Sequence, residues 1–181
     1  MTVSRSLLFF LLCYLSLALA EQTPQVCVKQ VFNNYCLGGT LSDQLKQTPV
    51  DMQPMTKGER SGVIFEKERE KIYVMAYRGV IYKILHTYEP DTWLTLKDLS
   101  KDLERKYGKY RDDSEYPEAT DNLSKQMSYI RRGEGELRYI WQVSGEPWRV
   151  ELGWDRKLGI TVAYFVNKLD DLQKEAALKG L

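Results

Sequence analysis

The sequence predicts an α+β domain, an antiparallel sheet of about five strands (a hairpin plus a three-stranded meander) with helices packed on one face or at one end. Three observations carry this. Between Ile72 and Tyr88, two alternating runs meet at Arg78-Gly79, the mark of a hairpin. Leu137 to Val143, Trp148 to Trp154 and Gly159 to Val166 alternate again, with Leu137, Tyr139, Trp141 and Val143 on one face and Arg138 and Gln142 on the other; the short links Ser144-Gly145-Glu146-Pro147 and Asp155-Arg156-Lys157 make them an antiparallel meander. Between the two groups the period changes, because Leu96, Leu99, Leu103 and Tyr107 recur at helical spacing within Thr92 to Gly108.

The elements follow in chain order. Arg5, an uncharged apolar run from Ser6 to Ala20, and polar Glu21-Gln22-Thr23-Pro24 beyond it form the layout of a secretory signal peptide cut after Ala20. The run is shorter than the ~20 apolar residues a membrane-spanning helix needs, so no integral membrane segment is expected after cleavage. The chain then divides into a cleaved peptide, residues 1–20, an N-terminal helix and loop region with a disulfide, 21–61, and the α+β core of the same domain, 62–181.

Cleavage removes Cys13 and leaves Cys27 and Cys36, a pair that an oxidising compartment joins. Positions nine apart in a continuous helix are separated by about 13.5 Å along its axis, whereas a disulfide needs Cα atoms roughly 4.4–6.8 Å apart. A helix from Val26 to Phe32, reversing at Asn33-Asn34 and returning through Tyr35-Cys36, meets that condition. Residues 40–62 carry Thr48-Pro49, Gln53-Pro54, Lys57-Gly58 and Ser61-Gly62 without periodicity and read as an irregular connection.

Thr95, with Asp98 three residues on, opens the central helix and Gly108 closes it. Residues 109–119, charged and containing Pro117, read as a solvated loop; a second helix runs from about Asp121 to Arg132 and stops at Gly133. The tail from Asn167 places Leu169, Leu172 and Ala176 on one helical stripe, as for a helix packed on the sheet.

Charge narrows the function. The chain has 26 Lys and Arg against 25 Asp and Glu, and loss of Arg5 with the signal peptide balances them. Nucleic-acid binding draws its affinity from basic excess, so nucleic acid is set aside as a partner. His86, the lone histidine, lies in a strand pattern and as a general base would need an orienting carboxylate and a hydroxyl or thiol from elsewhere. One His and two bonded Cys cannot make the usual zinc set. The acids Asp112, Asp113, Glu115, Glu118 and Asp121 lack the EF-hand's spacing and glycine, and Gly133 and Gly135 are not in a phosphate-binding loop. No catalytic residue, cofactor or metal is therefore expected. Lys101 and Arg105 fall on one helical stripe, with Lys109 just past the helix end, and Asp98, Asp102 and Glu104 on the same helix dilute their field; Asn122-Leu123-Ser124 is a glycosylation acceptor only in a host with that machinery.

Export, abundant Tyr and Trp, and no catalytic constellation point to an exported, non-catalytic protein that recognises a protein partner in the cell envelope, in the manner of an inhibitor or immunity protein, with the periplasm favoured. The alternatives are an envelope hydrolase acting on wall or saccharide through Glu66, Glu68, Asp112 and Glu115, an assembly factor, and a small-ligand carrier.

Overall fold

A computed structural model describes residues 27–50, 53–67 and 69–179. The signal-peptide reading, Cys13 and the cut after Ala20 lie outside the described residues, as does Glu68.

The elements are β1 (Lys29–Val31), β2 (Tyr35–Leu37), α1 (Leu41–Gln47), β3 (Met55–Lys57), β4 (Arg60–Lys67), β5 (Glu70–Tyr77), β6 (Val80–Tyr88), α2 (Trp93–Tyr107), β7 (Arg111–Asp112), α3 (Leu123–Arg132), β8 (Leu137–Gln142), β9 (Trp148–Asp155), β10 (Gly159–Val166) and α4 (Asn167–Lys179). The fold is α+β but dominated by its sheet, which among the described residues has 8 strands in the order β3-β4-β5-β6-β10-β9-β8-β7, all neighbours antiparallel; β1 and β2 form a separate 2-stranded hairpin. The expected sheet of about five strands is therefore wrong. Its five strands are the centre, β5, β6, β8, β9 and β10, and β3, β4 and β7 extend them.

Each missed strand has a local reason. Gly58 (φ 60) does make a turn, but Ser61-Gly62 lies inside β4, so the irregular connection read across 40–62 hides a hairpin and the helix α1. Strand β7 is two charged residues within a stretch read as loop, recruited by pairing with Tyr139 and Ile140. Near the N-terminus the helix expected from Val26 to Phe32, of which Val26 lies outside the described residues, gives way to strand at Lys29–Val31, where Lys29, Gln30 and Val31 pair with Leu37, Cys36 and Tyr35. The reversal falls at Phe32 (φ 46) and Asn33 (φ 68), both left-handed.

Where alternation is strong, the elements match. Arg78 (φ 51) and Gly79 (φ 80) both take positive φ, the two-residue turn that suits a right-twisted hairpin. The register slips between Met75 and Ala76, leaving Tyr82 as the extra residue, so Ile81 and Ile84 both turn inward despite their odd spacing. Gly108 and Gly133 cap α2 and α3 as expected. The N-cap of α2 is Thr92, whose hydroxyl accepts from the Thr95 amide, three residues before the expected opening at Thr95.

The core lies on one face of the sheet. Val63 and Phe65 of β4, Val74 of β5, Ile84 of β6, Val162 of β10, Val150 and Leu152 of β9 and Trp141 of β8 pack there against Leu41 of α1, Leu96 and Leu103 of α2, Ile130 of α3 and Leu37 of the hairpin. Covering this face takes three helices and the hairpin; the opposite face is left largely to α4.

Cys27 and Cys36 are bonded, with Cα atoms 5.4 Å apart, and tie the N-terminal end of the hairpin to β2. The chain-entropy model assigns such a short loop about 3 kcal/mol. The double variant Cys27→Ser/Cys36→Ser should lose about that much in urea denaturation, and an unchanged midpoint would show that the hairpin is held by Leu37 and Val31 in the core instead.

Candidate binding surface

Strand register assigns the residues of the second face. One row runs Ile140, Glu151, Ala163, Leu85, Tyr73, Ile64; the next runs Gln142, Arg149, Phe165, Lys83, Met75, Gly62, Met55. In the second row Arg149 and Lys83 flank Phe165. Helix α4 lies over them.

The docking of α4 departs from the stripe expected from Leu169, Leu172 and Ala176. Leu172 is exposed, and the residues turned inward are Asp170 (2 % exposed) and Gln173. The sheet beneath explains the reversal, because Arg149 stands there and needs acids. Its Nη2 donates to Asp170 at 2.7 Å, its Nε to Glu151 at 2.7 Å and its Nη1 to Asn167 Oδ1 at 3.2 Å, while its guanidinium lies 4.2 Å from the centre of the Phe165 ring. Lys174 meets the same Asp170 oxygen at 2.8 Å. Burial alone would raise the Asp170 carboxyl, but Lys174 and Arg149 outweigh it and hold the group below its ordinary value.

Lys83 stands beside this network, its ammonium 4.7 Å from the centre of the same Phe165 ring. Burial lowers its pKa, against the opposing pull of Glu151 and Asp170. It lines a cavity of about 170 Å³ together with Leu85, Glu151 and Thr161.

Beyond α4, toward the β3 edge, the second face opens into an apolar groove of about 410 Å³. Met55 (65 % exposed), Ile64, Tyr73, Met75 and Tyr82 wall it, Gly62 forms its floor, and Lys57 and Arg60 stand at its mouth. Gly62 leaves the floor open, since a Cβ there would meet only Val74 O at 3.5 Å and Met75 Cγ at 4.0 Å. Methionine walls adapt readily to an apolar guest. A larger groove of about 920 Å³ lies at the far end, among Glu115, Tyr116, Arg132, Glu134, Arg156 and Lys157, where acids and bases alternate and no single charge prevails.

The candidate hydrolase acids do not gather. Glu66 sits on β4 and pairs with Lys71 at 3.1 Å; Asp112 is on β7, six strand positions away, on the order of 29 Å across the sheet. Asp112 accepts from the Ser114 amide, and Glu115 lies 3.3 Å from Arg138. His86 does have the carboxylate that spacing could not supply: Glu70 Oε2 is 2.8 Å from its Nε2. The Phe32 ring stands edge-on to the imidazole at 5.0 Å and Tyr88 lies at 4.4 Å, so the pair sits within the packing that seats the hairpin. Burial and the nearby Glu70 push the Tyr88 hydroxyl up to about 12.

Other singled-out residues serve the scaffold. Asn122 caps α3 by accepting from the Lys125 amide, and Arg105 pairs with Asp102 within α2. Among the described residues, no helix is long and apolar enough to cross a membrane. The groove is what sequence reasoning missed, because its walls come from four strands, β3 to β6, and the region of β3 and the start of β4 was read as an irregular connection.

No family model matches the chain, and no curated protein matches it. Among solved structures, it is similar to a cysteine-rich secretory protein from Staphylococcus aureus, at 9 % identity and a TM-score of 0.43, over 73 % of this chain and 44 % of that one. The chain thus spans less than half the length of that protein.

Proposed function

We propose that the chain is an exported, non-catalytic domain that binds a protein partner in the cell envelope, as an inhibitor or immunity protein does, with the periplasm as its compartment. The apolar groove beside β3 carries this reading. It is open, walled by adaptable and aromatic side chains, and rimmed by charge, which is how protein-recognition surfaces are built. The Cys27–Cys36 bond fits an oxidising compartment.

The test uses the mature chain, residues 21–181, as bait in an envelope extract. The wild type should retain a specific protein, and Met55→Asp, which puts a charge at an exposed groove wall without disturbing the core, should lose most of it. Absence of any protein retained above background removes the reading, and equal retention by Met55→Asp moves the contact away from the groove.

A further inference from the structure

The acids around Lys83 are already taken. Arg149 holds Glu151 and Asp170, each at 2.7 Å, and Lys174 meets the same Asp170 oxygen at 2.8 Å. Among the described residues Lys83 has no ion pair of its own, and its terminal nitrogen rests 4.7 Å from the centre of the Phe165 ring. Holding a proton there is costly. Burial, the largest influence, lowers the pKa of the amine, and the charges of Arg149 and Lys174 lower it further, while Glu151 and Asp170 pull the other way.

Beside this amine the sheet is hollow. Along β10 the second face runs Phe165, Ala163, Thr161, and the register sets Gly153 opposite Thr161. A lone methyl and a bare backbone leave the cavity of about 170 Å³, bounded by Lys83 and Phe165 toward α4 and by Leu158 toward the β9–β10 turn. Leu85, Ala163 and Phe165 make its lining apolar. The remaining charges in the wall are engaged: Arg138 pairs with Glu136 at 3.1 Å, and Asp155 Oδ1 accepts from the Lys157 and Leu158 amides at 2.6 and 2.9 Å. Such a wall has no spare charge for a charged guest, and a neutral electrophile needs none. A cavity of about 150 Å³ holds benzene, so this one suits a guest of about six non-hydrogen atoms.

We propose that Lys83 is a covalent site for a small aliphatic aldehyde, held in this cavity as an imine. The unprotonated amine attacks the carbonyl carbon; the C–N bond forms, and the carbonyl oxygen takes a proton that the nitrogen gives up. The resulting carbinolamine loses water: nitrogen releases its second proton, the C–O bond breaks and the C=N bond closes. One aldehyde is consumed and one water leaves, with no oxidant or reductant. The short alkyl chain lies against Leu85 and Ala163. This cavity shares no residue with the groove at β3, and the inference does not rest on the protein-binding reading.

To test it, residues 21–181 are treated at neutral pH with butanal and cyanoborohydride, which reduces an imine to a stable secondary amine, and the butylated lysines are located by peptide mass spectrometry. Lys83 should be labelled at least about tenfold faster than the exposed Lys97 and Lys101. With 2-naphthaldehyde, too large for the cavity, that preference should disappear; reading each rate against Lys97 and Lys101 in the same chain cancels the intrinsic reactivity of the two aldehydes. Gly153→Val should bring butanal labelling of Lys83 down to the rate of the exposed lysines. Its added Cβ meets only Thr161 Oγ1 at 3.1 Å, which can turn aside, and Leu137 O at 3.8 Å, and circular dichroism checks the fold. If that variant does not fold, the size comparison on the wild type decides alone. Labelling of Lys83 no faster than that of Lys97 and Lys101 overturns the site. Equal preference with both aldehydes, or a butanal preference that survives in folded Gly153→Val, makes Lys83 a reactive surface amine and overturns the cavity's part in it.

Discussion

Arg149→Ala should lower the free energy of unfolding by about 3–5 kcal/mol, the cost of breaking a buried ion network from one side. Arg149 is only 13 % exposed at its side chain and joins Glu151, Asp170 and Asn167 at once. Without it, Asp170 keeps Lys174 and Gln173 but stays buried, and Phe165 loses the nearer of the two cations at its ring. Denaturation in guanidinium followed by circular dichroism measures the change, with a constant slope showing that the unfolded state is unaltered. A loss below about 1 kcal/mol would place the network with surface pairs that water screens. Joint replacement by Arg149→Met and Asp170→Leu should recover part of the loss, because well-packed apolar groups often substitute for a buried ion pair at little cost.

The same network fixes an acid dependence. Folding lowers the Asp170 carboxyl below its ordinary 3.8, so the folded state binds that proton less readily than the unfolded chain. The resulting stability is present above the unfolded value and is lost as pH falls through the folded one. Wild-type stability should therefore drop on acidification below about pH 4. Arg149→Ala should flatten that drop, since one of the two cations holding the carboxylate down is gone. A parallel drop in both proteins would assign the acid sensitivity to other carboxylates.

Trp141→Ala is expected to cost about 3–5 kcal/mol for a different reason, the removal of a large ring from a close-packed core. Trp141 is 1 % exposed and its Nε1 donates to the carbonyl of Gly108 at 2.8 Å, so one side chain fills the core and also satisfies the end of α2. Trp141→Phe separates the two roles. It keeps an aromatic ring, against which Tyr110 stands edge-on at 5.4 Å in the wild type, but leaves the Gly108 carbonyl without its donor. Its cost should be about 1–3 kcal/mol. If both variants lose the same amount, the hydrogen bond carries the effect and the packing account fails.

These two sites divide differently between sequence and structure. Trp141 belongs to an alternating run whose period assigns it to a face with Leu137 and Tyr139, and alternation is a local property that survives without knowledge of the partner strands. Arg149 alternates just as clearly, on the face opposite Trp148 and Val150, and the period says no more than that. That it lies beneath a helix, and that this helix turns Asp170 inward instead of Leu172, follows from where β10 delivers α4, a long-range fact no window of sequence contains.

The groove shows the same limit. Gly62 beside Ser61 looks like a turn, and only pairing of Gly62 with both Met55 and Met75 makes it the floor of a surface feature. By itself the sequence determined the mixed α+β class, the five central strands, the turns at Arg78-Gly79, Gly108 and Gly133, and the pairing of Cys27 with Cys36, because each is set by local periodicity, backbone freedom or reach. Tertiary structure alone decided the 8-strand width of the sheet, the hairpin in place of an N-terminal helix and the polar seat of α4. Short strands such as β3 and β7 have too few residues to declare a period, and the neighbour that supplies their hydrogen bonds makes them strands.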